Sequence, residues 1–383
     1  MTQTKVEAQF VKNNRMFRNL IINGDMAIWQ RYGGSAVTIS DGSNEGYNSV
    51  DRWKMAFGSS AGGAVQWSRS TDVPAGAGFA YSLKVSPSTT ATASGNHEVA
   101  IQHFIEAQNI PDISYGTSSA KKLTFSFYFK TNKVGLYSVY FQHPGSGTAK
   151  RKFLTFTPAA SDTWERIVLT VTGDTAVAFP VNVNTYGLGI YIYLDNPPNY
   201  DVDATEADWQ TSVVVASENN VNFMDNTSNE LYMTGCQLEV SDSVSDFEFL
   251  PHDVQLDRCM RYAYVHNNDA DSHQQLLFLG ATRGSTNKTF YIQHPRPMRD
   301  TPSITLSGEI RMVNINQADN VDADDTLVLG GVTPSIVGQN ADEKGCGIFY
   351  NGSVSGITDT ANTGYLLMFQ KETDNKLTFD ADL

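Results

Sequence analysis

The chain has 383 residues and a formal net charge of -14, with 11% aromatic and only 18% charged residues. That length buries a substantial core without disulfide or metal staples, and the low charged fraction suits a loop-rich β protein better than a helix-rich enzyme. The negative charge, with no lysine and arginine cluster interleaved with aromatics, argues against nucleic acid as a partner, and apolar runs such as AVAF and SVVVA are too short for membrane insertion.

Residues 1–18 are the one basic stretch, with Lys5, Lys12, Arg15 and Arg18 set against Glu7 alone. Such a stretch reads either as a disordered tail or as a docking arm that becomes ordered on an acidic partner, and the docking arm is the expectation here. No apolar signal segment occurs there, so a soluble protein folded in a reducing compartment is expected. NLIINGDMAIWQR at 19–31 follows, with NGD as a turn signal between two apolar runs, which predicts a strand, a turn and a second strand. A second Arg and Trp stand close behind in VDRW at 50–53.

Alternation with a period of two dominates the middle of the chain. In KLTFSFYFK, Leu123, Phe125, Phe127 and Phe129 share one face, and after the turn TNKVG the residues Tyr137, Val139 and Phe141 share another, so 121–142 reads as a hairpin. RIVLTVT at 166–172 and LGIYIYL at 188–194 continue the pattern, the latter with Leu188, Ile190, Ile192 and Leu194 on one side and Tyr191 and Tyr193 on the other. Short strands between turns rich in Gly, Ser, Asn and Asp predict an all-β fold, a jelly-roll sandwich over 19–250. A helix is expected at 254–265, with Leu256, Cys259, Met260 and Tyr264 as its stripe, bridging to a smaller β domain at 251–383. That domain shows further strand-like runs from FYIQHP to LTFDADL.

NLIINGDMAIWQR, VDRW, LTFSFYFKTNKVGLYSVYF, DTWERIVLTVTGDT, GCQLEV, FEFLP, DRCMRY and PMRDTPSITL follow one another in this order. The series resembles a module of tailed-bacteriophage virion proteins of tail-fibre or carbohydrate-binding type, over about residues 19–383. Two departures are mild: Gln255, Leu256 and Asp257 stand where the family commonly has Glu-Leu, and the closing AEL is ADL here. The resemblance implies a jelly-roll like those of carbohydrate-binding modules, a smaller C-terminal β domain and display on a virion. Because eighteen residues precede the module, a fibre tip or head-mounted fibre is expected rather than a complete long tail fibre.

Catalytic patterns are sparse. His97, His103, His143, His252, His266, His273 and His294 make neither H-x-x-x-H nor H-E-x-x-H and read as surface loop residues, while GSG at 145–147 reads as a turn. Cys236, Cys259 and Cys346 are an odd count without C-x-x-C spacing, which supports neither a disulfide framework nor a zinc site. Asp201, Asp203, Glu206 and Asp208, like Asp322, Asp324 and Asp325, are acidic runs, but the first puts Glu206 where a calcium loop needs glycine, so solvated loops are expected. No carboxylate pair stands out for glycoside hydrolysis, and no cofactor is indicated.

Sugar binding asks for flat aromatic faces rimmed by planar polar groups. Trp29, Trp53 and Trp164 lie inside the shared motifs and are expected in the core, which leaves Trp67, Trp209, Tyr191 and Tyr193 as the candidate platform. The expectation is a non-enzymatic virion surface protein binding host-surface glycans and joined to other virion proteins through residues 1–18. A homotrimer is expected because sandwich edges and aromatic faces need covering. Two rival readings stand beside it: a capsid decoration or head fibre protein, and a polysaccharide depolymerase, whose long β-helix repeat the sequence lacks.

Overall fold

The computed structural model describes residues 17–32, 34–40, 46–58, 62–92, 98–195, 197–267, 276–283, 287–307, 310–314, 327–329, 335–336, 342–351, 364–369 and 376–383. The chain divides into two units between Leu256 and Asp257. The expected docking arm at 1–18 lies almost wholly outside the described residues, as does the acidic run at 321–325.

Among the described residues fourteen strands precede the division: β1 (Val37–Ser40), β2 (Trp53–Gly58), β3 (Ala64–Ser70), β4 (Ser82–Thr89), β5 (Glu98–Glu106), β6 (Leu123–Thr131), β7 (Tyr137–His143), β8 (Lys150–Phe156), β9 (Glu165–Val171), β10 (Tyr186–Tyr193), β11 (Asp201–Val202), β12 (Glu206–Gln210), β13 (Ala216–Ser217) and β14 (Leu231–Glu239). Two six-stranded antiparallel sheets form the jelly-roll sandwich, in the orders β1-β3-β4-β14-β6-β9 and β12-β8-β7-β10-β5-β2. A small parallel pair, β11 with β13, is separate from both. Alternation sends Leu123, Phe125, Phe127 and Phe129 of β6 and Leu188, Ile190 and Ile192 of β10 into one core, with Trp53, Trp67 and Phe141. Each such side chain contributes about 1.5–3 kcal/mol on burial, so a one-residue slip that turned a whole face outward would be costly.

α1 (His252–Met260) spans the division, and among the described residues it is followed by β15 (Ala263–Asn267), β16 (Leu276–Arg283), β17 (Asn287–Gln293), β18 (Ser303–Ser307), β19 (Ile310–Asn314), β20 (Leu327–Leu329), β21 (Ser335–Ile336), β22 (Gly345–Asn351), β23 (Gly364–Phe369) and β24 (Lys376–Asp380). Here β24 pairs with both β15 and β18, and the other seven strands form a second sheet. The all-β class with one short helix and a smaller C-terminal β region is therefore as expected.

Several local expectations are corrected. The 121–142 hairpin is not formed: β6 pairs with β14 and β9, while β7 pairs with β8 and β10 in the opposite sheet. Both strands carry an aromatic face, and those faces meet across the core, with Phe129 and Tyr137 ring centroids 5.2 Å apart. The helix stops at Met260, and Tyr264 lies in β15, opposite Phe379. The stretch 19–31 holds the expected turn but no strands.

Asparagine side chains take over the hydrogen bonding there. The Asn19 amide donates to the Cys236 carbonyl at 3.0 Å and accepts from the N–H groups of Ile21 and Leu238. The Asn23 side-chain amide donates to the carbonyls of Ile28 and Asp51, and the Asn23 backbone carbonyl accepts from the Trp53 indole N–H at 3.1 Å. Gly24 passes so close to β14 that an added Cβ would lie 2.0 Å from the Cys236 carbonyl oxygen. The VDRW segment completes this knot: Trp53 is buried against His103, and Arg52 donates to the Phe104 carbonyl at 2.7 Å. The apolar N-terminal segment is thus a plug sewn to the sandwich by amides that satisfy backbone groups a ladder would otherwise pair.

The histidines are also corrected. His103, His143 and His294 are buried, the first two within strands. His143 Nε2 lies 3.1 Å from Asp174 Oδ2, and its Nδ1 accepts from the Gly145 N–H, so the ring is held by two partners.

Candidate functional site

The four platform candidates separate in space. Trp67 is fully buried in the main core, because β3 turns the odd positions Val65 and Trp67 inward. With no free face it leaves the candidate set. Trp209, on edge strand β12, is half-buried against the same core; its indole N–H donates to the Thr172 carbonyl at 2.7 Å and its ring sits edge-on to Tyr115. Trp164, expected in the core, instead lies half-buried outside the first sheet, with its N–H donating to Asp72 Oδ1 at 2.9 Å.

Tyr191 and Tyr193 do face away from the core, and antiparallel register sets their neighbours on the outer face of the second sheet. One row across β8, β7, β10 and β5 reads Arg151, Gln142, Gly189, Phe104. The next reads Phe153, Tyr140, Tyr191, Gln102, and Lys54 of β2 extends it. Tyr193 belongs to a third row and is closed off: with Tyr140, Phe153, Val215 and Ala216 it forms a second apolar cluster, and its hydroxyl donates to Glu98 at 3.0 Å. Tyr193 therefore flanks the open rings from a neighbouring row of the same face and offers no open surface itself.

What stays partly open is Tyr191 with Phe104 and Tyr186. The Phe104 ring meets Tyr191 edge-on at 5.6 Å and Tyr186 edge-on at 6.0 Å, while Tyr140 meets Tyr191 at 4.8 Å. Gly189 makes the arrangement possible, since a Cβ there would come 2.9 Å from the Tyr191 ring and 3.1 Å from that of Phe104. Both rings lie over the strand where any other residue would lift them. One planar amide edges the rings, Gln142, which donates to the Tyr186 hydroxyl at 2.9 Å and accepts from Tyr140; Gln102 stands beside Tyr191 in register but is itself buried.

Burial pushes the phenols of Tyr140, Tyr191 and Tyr193 well above the ordinary range, so they remain protonated and can donate hydrogen bonds. The face thus offers aromatic carbon, amide donors and acceptors, and hydroxyls, which is the set a pyranose ring can use. Phe104, Tyr186, Gln142 and Gln102 are the members that sequence reasoning missed. Phe104 had one usable signal, its place on the polar side of the alternating run EVAIQHFIE.

No protein-family model and no curated protein matches the chain. Among solved structures, the enzymatically active domain of bacteriophage CBA120 tailspike protein 4 aligns with a TM-score of 0.30 at 10% identity, covering 59% of this chain and 22% of that one. A family 11 carbohydrate-binding module from Clostridium thermocellum, solved in complex with a β-1,3-1,4-mixed-linked tetrasaccharide, aligns with a TM-score of 0.28 at 11% identity, over 54% of this chain and 96% of the other. The tandem CBM22 domains of Paenibacillus barcinonensis Xyn10C align with a TM-score of 0.27 at 6% identity, over 91% and 96%. These are distant similarities of fold. The chain spans about a fifth of the tailspike chain it matches.

Proposed function

We propose that this protein binds host-surface glycans, without enzymatic activity, as a surface component of a tailed-bacteriophage particle. The observation that carries glycan binding is the half-open aromatic trio of Tyr191, Phe104 and Tyr186, edged by Gln142 and laid flat by Gly189. Shallow faces of this kind grip a sugar weakly, and several copies on one particle turn weak contacts into attachment. A homotrimer would supply those copies, and residues 1–18 would dock each on the virion. The ordered motif series from NLIINGDMAIWQR to PMRDTPSITL supports the virion assignment.

The test is a glycan array read with the wild type and the Tyr191→Ala variant, with thermal unfolding measured on both. Selective binding that falls about tenfold in the variant is expected from the loss of one stacking ring, with the protein still folded and its melting temperature moderately lowered because the ring is half-buried. Equal binding by the two proteins would remove the face from consideration. Light scattering tests the trimer, and a stable monomer at micromolar concentration would refute it.

A further inference from the structure

A second concavity lies in the sandwich unit, and no residue of the Tyr191 face lines it. It has a volume of about 330 Å³ and is bounded by Asp25, Arg69, Phe79, Tyr81, Phe249 and His252, with Ala27, Gly78 and Ala80 between them. The walls come from segments already described: Asp25 follows the Asn23 knot, Arg69 is the penultimate residue of β3, Phe249 precedes α1 and His252 opens it. We propose that this pocket binds a single neutral pyranose unit, such as the end residue of a glycan chain.

Size, shape and charge each bear on that choice. The volume sits at the lower end of ligand pockets, which run from about 300 to 1,000 Å³, and so suits one ring rather than an extended chain. Aromatic carbon is present in quantity: Phe79 packs against Phe247 at 5.0 Å and Phe249 at 5.1 Å, and Phe249 is 50% exposed. Gly78, at φ +87°, keeps the wall thin beside Phe249, whose ring an added Cβ would meet at 3.3 Å. An apolar pyranose face can lie on such a ring.

The polar groups are of mixed sign. The Asp25 carboxyl is fixed by the Gln255 side chain, which donates to its Oδ1 at 2.8 Å, while the Arg69 guanidinium lies 4.5 Å over the Tyr81 ring. A carboxyl on one side and a guanidinium on the other disfavour a strongly charged ligand of either sign, and together they provide acceptors and donors for hydroxyl groups. Burial raises the Asp25 carboxyl above its ordinary value of 3.8, so it sits in a partly dry place where a bond to a sugar hydroxyl is strengthened.

The pocket shares only a ligand class with the sheet face, and the experiment separates them. Methyl glycosides of glucose, galactose, mannose and N-acetylglucosamine are titrated at millimolar concentration and followed by saturation-transfer NMR with wild type, Phe249→Ala, Asp25→Asn and Tyr191→Ala. At least one glycoside should bind the wild type, lose about tenfold in affinity with Phe249→Ala and Asp25→Asn, and bind Tyr191→Ala as well as wild type. Phe249 is exposed enough that its truncation should leave the fold intact, and thermal unfolding checks both pocket variants. If no glycoside binds, if both pocket variants bind like wild type, or if Tyr191→Ala alone abolishes binding, the pocket is not a sugar site. Failure of the sheet-face proposal would show separately, as oligosaccharide binding that is unchanged in Tyr191→Ala.

Discussion

The two sheets of the sandwich both carry aromatic side chains on their outer faces, but different groups lie against those rings. On the first sheet, Tyr232 lies under two ammonium groups, Lys84 at 5.4 Å and Lys130 at 5.0 Å from its centroid. Lys84 pairs with Glu230 at 2.5 Å and Lys130 with Asp72 at 2.6 Å. Further along that sheet, the segment after β14 folds back as a cover, with the Ser245 and Glu248 N–H groups donating to Glu239 and Gln237. The second sheet presents Tyr191, Phe104 and Tyr186 among amides and hydroxyls, with ring edges rather than ammonium groups as their nearest described partners. Aromatic content therefore does not define the site; what sits on the rings does.

Trp67 gives the sharpest test of that contrast, because it belongs to neither outer face. Trp67→Ala should cost about 3–5 kcal/mol of stability by leaving a cavity behind the first sheet, measured by chemical denaturation. A small loss with reduced glycan binding would mean that Trp67 is an exposed platform residue after all.

Gly189→Val comes next. The added Cβ would press on the Tyr191 and Phe104 rings, which should cost about 1–3 kcal/mol of stability by overpacking and weaken oligosaccharide binding at the same time. Calorimetric titration beside thermal unfolding reads both quantities. Undiminished binding would show that the flat disposition of these rings is irrelevant to the ligand.

Trp164→Ala tests the charged face. Its ring is half-buried and its N–H bonds Asp72, so the loss should be about 1 kcal/mol in stability, with no change on the glycan array. Loss of array binding at full stability would move the site to the first sheet.

These contrasts also show what the sequence can convey. Alternation alone put Phe125, Phe127 and Phe129 inside and Tyr191 outside, because a face is a local property of a strand. Pairing is not local: nothing in KLTFSFYFK says that Met233, about a hundred residues on, lies opposite Phe129. The members of the candidate face were hidden for the same reason, since Phe104 and Gln142 join Gly189 only through register. Trp67 was misassigned because it lies outside the shared motifs, although the alternation of Val65, Gln66, Trp67 and Ser68 already sets its ring on the inward face. The Asn23 bonds were invisible because asparagine beside glycine reads first as a turn, and those of Asn19 because their partner Leu238 is distant in sequence.

The smallest expected effect is the pH response of the charged face. Desolvation pushes the Asp72 carboxyl up, but hydrogen bonds from Lys130 and Trp164 and the nearby ammonium charges outweigh it and hold the carboxyl below its ordinary 3.8. For Glu230 the Lys84 hydrogen bond leads and holds it below 4.5. A carboxyl with a depressed folded value contributes stability that is fully present above its unfolded value and is lost as pH falls through the folded one. Desolvation lowers the Lys84 ammonium, yet its bonds to Glu230 and Tyr232 raise it above 10.5 overall, so its share is full at neutral pH and disappears only in strong alkali. Because these carboxylates are about 40% exposed, solvent screening limits each pair to less than about 1 kcal/mol. Melting temperature should therefore decline as pH falls from about 5 toward 3, and Asp72→Asn with Glu230→Gln should make that decline shallower. An unchanged slope in the double variant would mean that these pairs do not stabilise the first sheet and that Tyr232 is covered by them without energetic consequence.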